Sequence, residues 1–142
     1  MLTEEKGDLF SLDDTWALAH CVGSDFIMGR GIATTFKDKY GHQEWLLKNS
    51  KGIGSTLLLP KDICGCDVFY MVTKQYSRYS KPTYESIKEC LIDMFNQATQ
   101  LKITKIGMPR IGCGLDGKDW DTVKKMINET KPKEISVKVF YL

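Results

Sequence analysis

Apolar and polar positions fall along this chain in blocks that read as strand and helix by turns. Met1 to Glu5 predicts a short first strand, ended at Lys6-Gly7-Asp8-Leu9-Phe10. Trp16 to Cys21 is an apolar run suited to a buried strand, and it leads into Val22-Gly23-Ser24-Asp25 and then Met28-Gly29-Arg30-Gly31. Ile32, Phe36 and Tyr40 recur at i, i+4 and i+8, the stripe of an amphipathic helix that starts at those glycines and stops at Gly41. A short helical piece follows around Gln43 to Asn49. Ser55 to Leu59 then reads as a strand ended by Pro60, and Asp67 to Thr73 as its antiparallel partner across a Lys61 to Gly65 turn. Pro82-Thr83 opens the clearest helix: Ile87, Leu91, Met94, Phe95 and Ala98 hold one face, and Glu85 lies in the first turn, where the helix dipole favours an acid. Ile103 to Met108 is a buried strand. Trp120, Val123 and Ile127 stripe a last helix beginning near Asp119, and beyond Pro132 the residues Ile135, Val137, Val139 and Tyr141 alternate with Ser136, Lys138 and Phe140. This order predicts a three-layer α/β domain with a mixed sheet.

Composition narrows the picture. A chain of 142 residues is long enough for one domain with a substantial core, and a single domain over 1–142 is expected. The 20 basic and 18 acidic residues balance to a net charge of +2, too even for a surface that neutralises many phosphates, so no duplex nucleic acid is expected as a partner and any anion site is local. No apolar run approaches the ~20 residues of a membrane span, and the amino terminus lacks a signal peptide's apolar core. An intracellular protein, cytoplasmic or nuclear, with no membrane partner is the expectation. The five cysteines are odd in number and scattered, which predicts free thiols in a reducing compartment. Cys64-Gly65-Cys66 is the one close pair; without a second pair, and with His20 and His42 in no ligand-like spacing, a zinc site is not expected and a polar turn carrying two cysteines is.

Candidate chemistry gathers where strands end. Gly107-Met108-Pro109-Arg110-Ile111-Gly112-Cys113-Gly114-Leu115-Asp116 crosses from a buried strand to a helix, and in open α/β sheets that edge is where ligands bind. A Gly-x-Gly turn there lets backbone N–H groups face an anion with no side chain in the way, although the same pattern also serves a plain tight turn. Gly29 to Gly31 is a second such loop, and a helix starting there offers unpaired N–H groups to phosphate. Neither the P-loop nor the dinucleotide fingerprint fits it. Asp8, just past a strand end, reads by itself as a turn or capping aspartate. Lys74 follows the Val68 to Val72 run directly, again at a strand terminus, whereas most lysines are solvated surface charges. Gln75 to Lys81, with Tyr76, Arg78 and Tyr79, reads as a mobile flap or an exposed loop.

Together with Ala19-His20-Cys21, Met28 to Ala33, Thr73-Lys74 and Lys81-Pro82-Thr83-Tyr84-Glu85, the Lys6 to Phe10 and Met108 to Asp116 stretches resemble the macrodomain family. More narrowly, they resemble its terminal ADP-ribose protein glycohydrolase branch, the OARD type, in order along nearly the whole chain. The resemblance implies a three-layer α/β/α macrodomain with a central mixed sheet and an ADP-ribose cleft at the carboxyl edge. Asp8 would read the adenine amine, with Leu9 contributing backbone and Phe140 nearby. The loops Gly29, Arg30, Gly31, Ile32 and Gly112, Cys113, Gly114, Leu115 would hold the distal ribose and diphosphate, with Thr73, Pro109, Arg110 and Ile111 beside them. Lys74 and Asp116 match the pair to which that branch attributes catalysis.

The implied activity is release of ADP-ribose from glutamate or aspartate esters on proteins, with deacylation of O-acetyl-ADP-ribose as related chemistry. A monomer using no cofactor and no metal is expected. The alternatives are a module that binds ADP-ribose without turnover, or an ADP-ribose 1″-phosphate phosphatase. Lys74 and Asp116 favour the enzyme, since a pure reader needs the cleft but neither nucleophile nor acid. Two departures stand out: the loop from Lys74 to Lys81 is about a residue longer than the family pattern, and Arg30 stands where the family often has a small residue.

Overall fold

The computed structural model describes residues 2–142, and Met1, assigned above to the first strand, lies outside them. The strands are β1 (Leu2–Lys6), β2 (Ala17–Gly23), β3 (Thr56–Leu59), β4 (Val68–Lys74), β5 (Lys105–Pro109) and β6 (Ser136–Tyr141). Between them run α1 (Ile32–Tyr40), α2 (Gln43–Asn49), α3 (Lys61–Cys64), α4 (Tyr84–Gln100) and α5 (Trp120–Thr130), with a 3₁₀ turn at Leu9–Ser11.

The strands form one six-stranded sheet in the order β1-β6-β5-β2-β4-β3. All neighbours are parallel except β3 and β4, which are antiparallel, so the sheet is mixed. The central strands β2 and β4 are buried almost end to end, which is why both read as unbroken apolar runs rather than alternating ones. Edge strand β1 carries Glu4, Glu5 and Lys6 and is only partly buried, a charged edge that discourages further pairing.

Period-two alternation divides the core between the faces. Ala19, Phe69, Met71, Ile106, Met108, Val137 and Val139 pack against the apolar stripes of α4 and α5. Leu18, Val22, Tyr70 and Val72 pack with Phe36 of α1 and Leu46 of α2 on the other face. The result is three layers, α/β/α. Helix α4 begins with a reciprocal cap: the Thr83 hydroxyl accepts from the Ser86 amide at 2.9 Å, and the Ser86 hydroxyl accepts from the Thr83 amide at 3.1 Å.

Two local expectations change. Lys61 to Gly65 is not a simple turn but the short helix α3, closed by Gly65 in the left-handed region (φ 88°), with the Cys64 thiol donating to the Cys66 carbonyl at 2.9 Å. All five cysteines are free. At the last strand, Tyr141 is exposed and Phe140 is buried on the face opposite Val137 and Val139. The alternation therefore ends at Val139, because the second face is covered near the strand's end by the 3₁₀ turn that carries Leu9.

Because five strands are parallel, their carboxyl ends share one edge, and Lys6, Gly23, Lys74, Pro109 and Tyr141 all lie along it. Among the described residues no helix is long and apolar enough to cross a membrane.

Candidate active site

A cleft of about 750 Å³ opens on that edge, between the loops that follow β2, β4 and β5. Its volume suits a ligand of dinucleotide size. Three features of the backbone build it.

The first is an irregularity at the end of β4. Val22 pairs with Val72, but Gly23 pairs with Lys74, so Thr73 is an extra residue and the ladder shifts. Bulges of this kind re-aim the side chain that follows. The bulge is held from behind, since the Ser86 hydroxyl donates to the buried Thr73 carbonyl at 2.7 Å. The cap of α4 thus fixes the strand end that carries Lys74.

The second is the loop from Arg110 to Asp119. Gly112 has φ 74° and Gly117 φ 72°, conformations natural only to glycine, and a Cβ at Gly112 would meet Ile87 Cδ1 at 3.0 Å. Backbone bonds from Lys118 N to Gly112 O (2.7 Å) and Gly117 N to Gly114 O (3.2 Å) curl the loop back on itself. Asp119 then caps α5 by accepting from the Thr122 amide at 3.0 Å. Asp116 is thereby held at the cleft.

The third is the approach to α1. Gly31, at φ 61°, precedes the helix with no side-chain cap, which leaves the first-turn amides of Ile32 and Ala33 available at the cleft wall. A side chain at Gly31 would touch Leu115 at 3.6 Å, so the two glycine loops face each other across the cleft.

Lys74 and Asp116 meet between these walls. Lys74 Nζ lies 2.7 Å from Asp116 Oδ1 across 42 residues of sequence, and each side chain is only 13% exposed. A charge-assisted hydrogen bond of that length, mostly out of water, is a strong and well-oriented ion pair.

Of the other residues singled out in the sequence, Gly29, Arg30, Gly31, Ile32, Pro109, Arg110, Ile111, Gly112, Cys113, Gly114 and Leu115 line the cleft with the pair. Asp8, Leu9, Thr73 and Phe140 do not. Asp8 is exposed and caps the 3₁₀ turn, its Oδ1 accepting from the Phe10 amide at 3.0 Å. Leu9 and Phe140 are buried in the same core cluster beside it, and the Phe140 ring lies beneath Gly7, so these three form a separate group farther along the same edge. Thr73 is buried, and its backbone carbonyl is the acceptor that anchors the bulge. The Arg110 guanidinium is engaged away from the loop: it donates to Glu4 Oε1 from Nε and Nη2 at 3.3 and 3.1 Å and lies 4.2 Å from the centre of the Tyr141 ring.

Sequence reasoning gave no ligand role to several lining residues. Gly23, Ser77, Arg78, Ser80 and Lys81 reach the cleft, and Lys81 Nζ donates to the Leu115 carbonyl at 2.5 Å. The nearest signal was the polar flap after Lys74, whose direction no sequence pattern could give. His20 also lines the cleft floor. Fully buried, its ring stacks on Phe36 at 3.7 Å with the planes 5° apart, and neither ring nitrogen finds a partner among the described residues. Burial pushes its pKa down to about 3, so the imidazole is neutral. A single histidine inside the apolar Ala17 to Cys21 run was the available clue. Among the described residues no group of three or more His, Cys, Asp or Glu side chains could hold a metal ion.

Comparison with known proteins gives the family and the fold. Residues 19–127 match the Macro domain family. The chain is 39% identical over 142 residues to human ADP-ribose glycohydrolase OARD1, covering 99% of this chain and 91% of that protein. The macrodomain of Thermus aquaticus DarG superposes with a TM-score of 0.86 at 24% identity, covering 100% of this chain and 99% of that one. Thermosipho africanus DarTG, solved in complex with ADP-ribose, superposes with a TM-score of 0.82 at 20% identity over 99% of this chain and 42% of that one. On the family match, the relative at 39% identity and the shared architecture, this chain belongs to the macrodomain family.

Proposed function

We propose that this protein is an ADP-ribosyl hydrolase that releases ADP-ribose from glutamate and aspartate esters on proteins, and that it deacylates O-acetyl-ADP-ribose by the same chemistry. The observation that carries this reading is the Lys74–Asp116 pair, 2.7 Å apart and largely withdrawn from water between two glycine loops. Similarity to human ADP-ribose glycohydrolase OARD1 over nearly the whole chain supports it.

In this reading the diphosphate and distal ribose lie between Gly29 to Ile32 and Gly112 to Leu115, where backbone amides face the anion. The adenine extends along the edge toward Asp8, Leu9 and Phe140. The ester at C1″ of the distal ribose then reaches Lys74. Lys74, deprotonated to solvent, adds its amine to C1″ while the C1″–O ester bond breaks and the protein carboxylate leaves with the electron pair; opening of the ribose ring then turns the adduct into a C1″=N imine, the ring oxygen taking a proton from nitrogen. Asp116 takes a proton from the water that adds to C1″ and returns it to nitrogen; the C1″–N bond breaks as the new hydroxyl loses its proton to solvent, and the freed aldehyde closes again to ribose. A pure binding module is not favoured, because it leaves the buried pair without work. A phosphatase is not favoured either, because an amine nucleophile has no use at a phosphomonoester.

Kinetics on a glutamate-ADP-ribosylated protein test the proposal. Lys74→Ala should abolish release while ADP-ribose affinity, measured by calorimetry with chelator present, stays within a few-fold, because the nucleophile acts in the transition state. Asp116→Ala should stop turnover and accumulate an adduct on Lys74 that borohydride traps. Absence of the adduct in an inactive variant would assign Asp116 to activating water directly, and full activity of Lys74→Ala would remove the lysine mechanism.

A further inference from the structure

The flap that follows Lys74 is tied to the protein at both ends, and the tie at its start uses no side chain of the catalytic pair. Ser24 donates from its amide to the Lys74 and Gln75 carbonyls at 2.9 and 3.1 Å, and from its hydroxyl to the Gln75 carbonyl at 2.6 Å. Asp25 then grips Ser77 with both carboxylate oxygens. Oδ2 accepts from the Ser77 amide at 3.0 Å, and Oδ1 accepts from the Ser77 hydroxyl in a very short bond and from the Ile27 amide at 3.3 Å. Burial works against this carboxylate, yet the Ser77 and Ile27 donors hold its pKa below the usual range.

Gly23 completes the contact. Its φ lies outside the left-handed region, so its backbone does not demand glycine, but a Cβ there would sit 2.7 Å from the Ser77 amide nitrogen and 3.0 Å from Ser77 Cα. Those are backbone atoms, which no side-chain rotation can move aside. The missing side chain is what lets the flap lie down on the end of β2. Farther along, Tyr76 and Ser80 close a turn through bonds of 3.1 and 3.3 Å, and Lys81 is tied to the opposite loop at Leu115. Between the two ties Ser77, Arg78 and Ser80 face the cleft.

We propose that Gly23, Asp25 and Ser77 form a latch that holds the 75–81 flap against the cleft, and that Asp25 is a positioning residue for substrate binding. The latch keeps the Arg78 guanidinium at the mouth of the cleft, where the bound group is anionic, and leaves the Lys74–Asp116 chemistry itself untouched. The inference rests on the proposed hydrolase reading for its kinetic arm only, since flap position and ADP-ribose affinity are measurable without turnover.

The test compares the parent chain with Asp25→Ala, Gly23→Ala, the double variant and Asp25→Asn. An electrostatic release and a steric one should converge: each single variant should raise KM for the glutamate-ADP-ribosylated protein and weaken ADP-ribose by about tenfold, with kcat changed less than about threefold, as for a group that acts in binding rather than in the transition state. The double variant should be no worse than the weaker single one, since both break one contact. Asp25→Asn can still accept from the Ser77 amide and offer its own N–H to the hydroxyl, and should recover most of the loss. Ser77 amide hydrogen exchange, read by NMR, should quicken in Asp25→Ala and Gly23→Ala and stay slow in Asp25→Asn. Unchanged exchange in Asp25→Ala would overturn the latch, and faster exchange with unchanged ADP-ribose affinity would overturn its role in binding. Should Gly23→Ala fail to fold, Ser77→Gly, which removes the hydroxyl donor, takes its place. A parent inactive on the ester would end the hydrolase reading while the binding and exchange results still decide the latch.

Discussion

His20 shows how much one buried side chain can demand of its surroundings. Even the neutral imidazole stacked on Phe36 leaves both ring nitrogens without a partner among the described residues, and a charged one there would cost far more, which is why its pKa falls to about 3. The unfolded chain binds that proton near pH 6.5 and the folded chain does not, so between those values unfolding takes up a proton and stability falls as the pH drops. From pH 7.5 to 5 this single group should remove about 2 kcal/mol. Urea unfolding of His20→Leu at the two pH values checks it: whatever its absolute stability, the variant should lose about 2 kcal/mol less than the parent over the same interval. An equal loss in both proteins would mean that His20 is protonated in the fold. Asp8 and Arg110 teach a different lesson at this scale. Each has a structural partner, the Phe10 amide and the Glu4 carboxylate respectively, so a place near the ligand edge does not by itself make a side chain free for the ligand.

At the scale of elements, the site depends on how one helix begins. Thr83 and Ser86 cap α4, and the same Ser86 hydroxyl reaches across to the Thr73 carbonyl at the bulge that sets Lys74. A cap that would ordinarily stabilise only its own helix therefore holds the end of β4 as well. Ser86→Ala removes the hydroxyl that donates to the buried Thr73 carbonyl and should cost about 1–3 kcal/mol in urea unfolding. On the proposed mechanism it should also lower kcat several-fold while ADP-ribose affinity holds, because the bulge orients Lys74 and not the glycine loops. Lost stability with full kcat would reduce Ser86 to a cap. The flap behaves as an element too, since its two ties go to different loops and it has no apolar core of its own.

For the molecule as a whole, Glu4 joins parts of the chain more than a hundred residues apart. Its carboxylate accepts from Lys124 Nζ at 2.8 Å, Trp120 Nε1 at 2.9 Å and the Arg110 guanidinium, which binds edge strand β1 to the start of the loop after β5 and to α5. The Lys124 bond, then those to Trp120 and Arg110, outweigh burial and hold the Glu4 pKa below its ordinary 4.5. The unfolded carboxyl thus takes up a proton at higher pH than the folded one. Its contribution is complete above about 4.5 and is lost as the pH falls through the lower folded value. Glu4→Gln should therefore be less stable than the parent at pH 7, by about 1–3 kcal/mol in chemical unfolding, with the gap closing below pH 4.5. A gap independent of pH would show that shape, and not charge, makes the staple.

The sequence by itself determined the elements and the edge. Ile32, Phe36 and Tyr40 at helical spacing, the apolar runs of β2 and β4, and Pro60 and Pro132 as breaks are local signals, and local sterics and burial decide them. So are the glycine loops, because φ near 70° at Gly112 belongs to that residue's own backbone. Lys74 and Asp116 could be singled out at strand ends, since a polar residue directly after an apolar run lies where a strand leaves the core. Only the tertiary structure decided what those residues meet. Sheet order sets β4 beside β2 and β2 beside β5, and that order, with the bulge in β4 and the curl of the loop after β5, brings two side chains 42 positions apart to 2.7 Å. The course of the flap, the grip of Asp25 on Ser77 and the capture of Arg110 by Glu4 depend on contacts between segments with no shared periodicity. Such contacts leave no trace in spacing, because each half alone is an ordinary polar residue in a loop or on an edge strand.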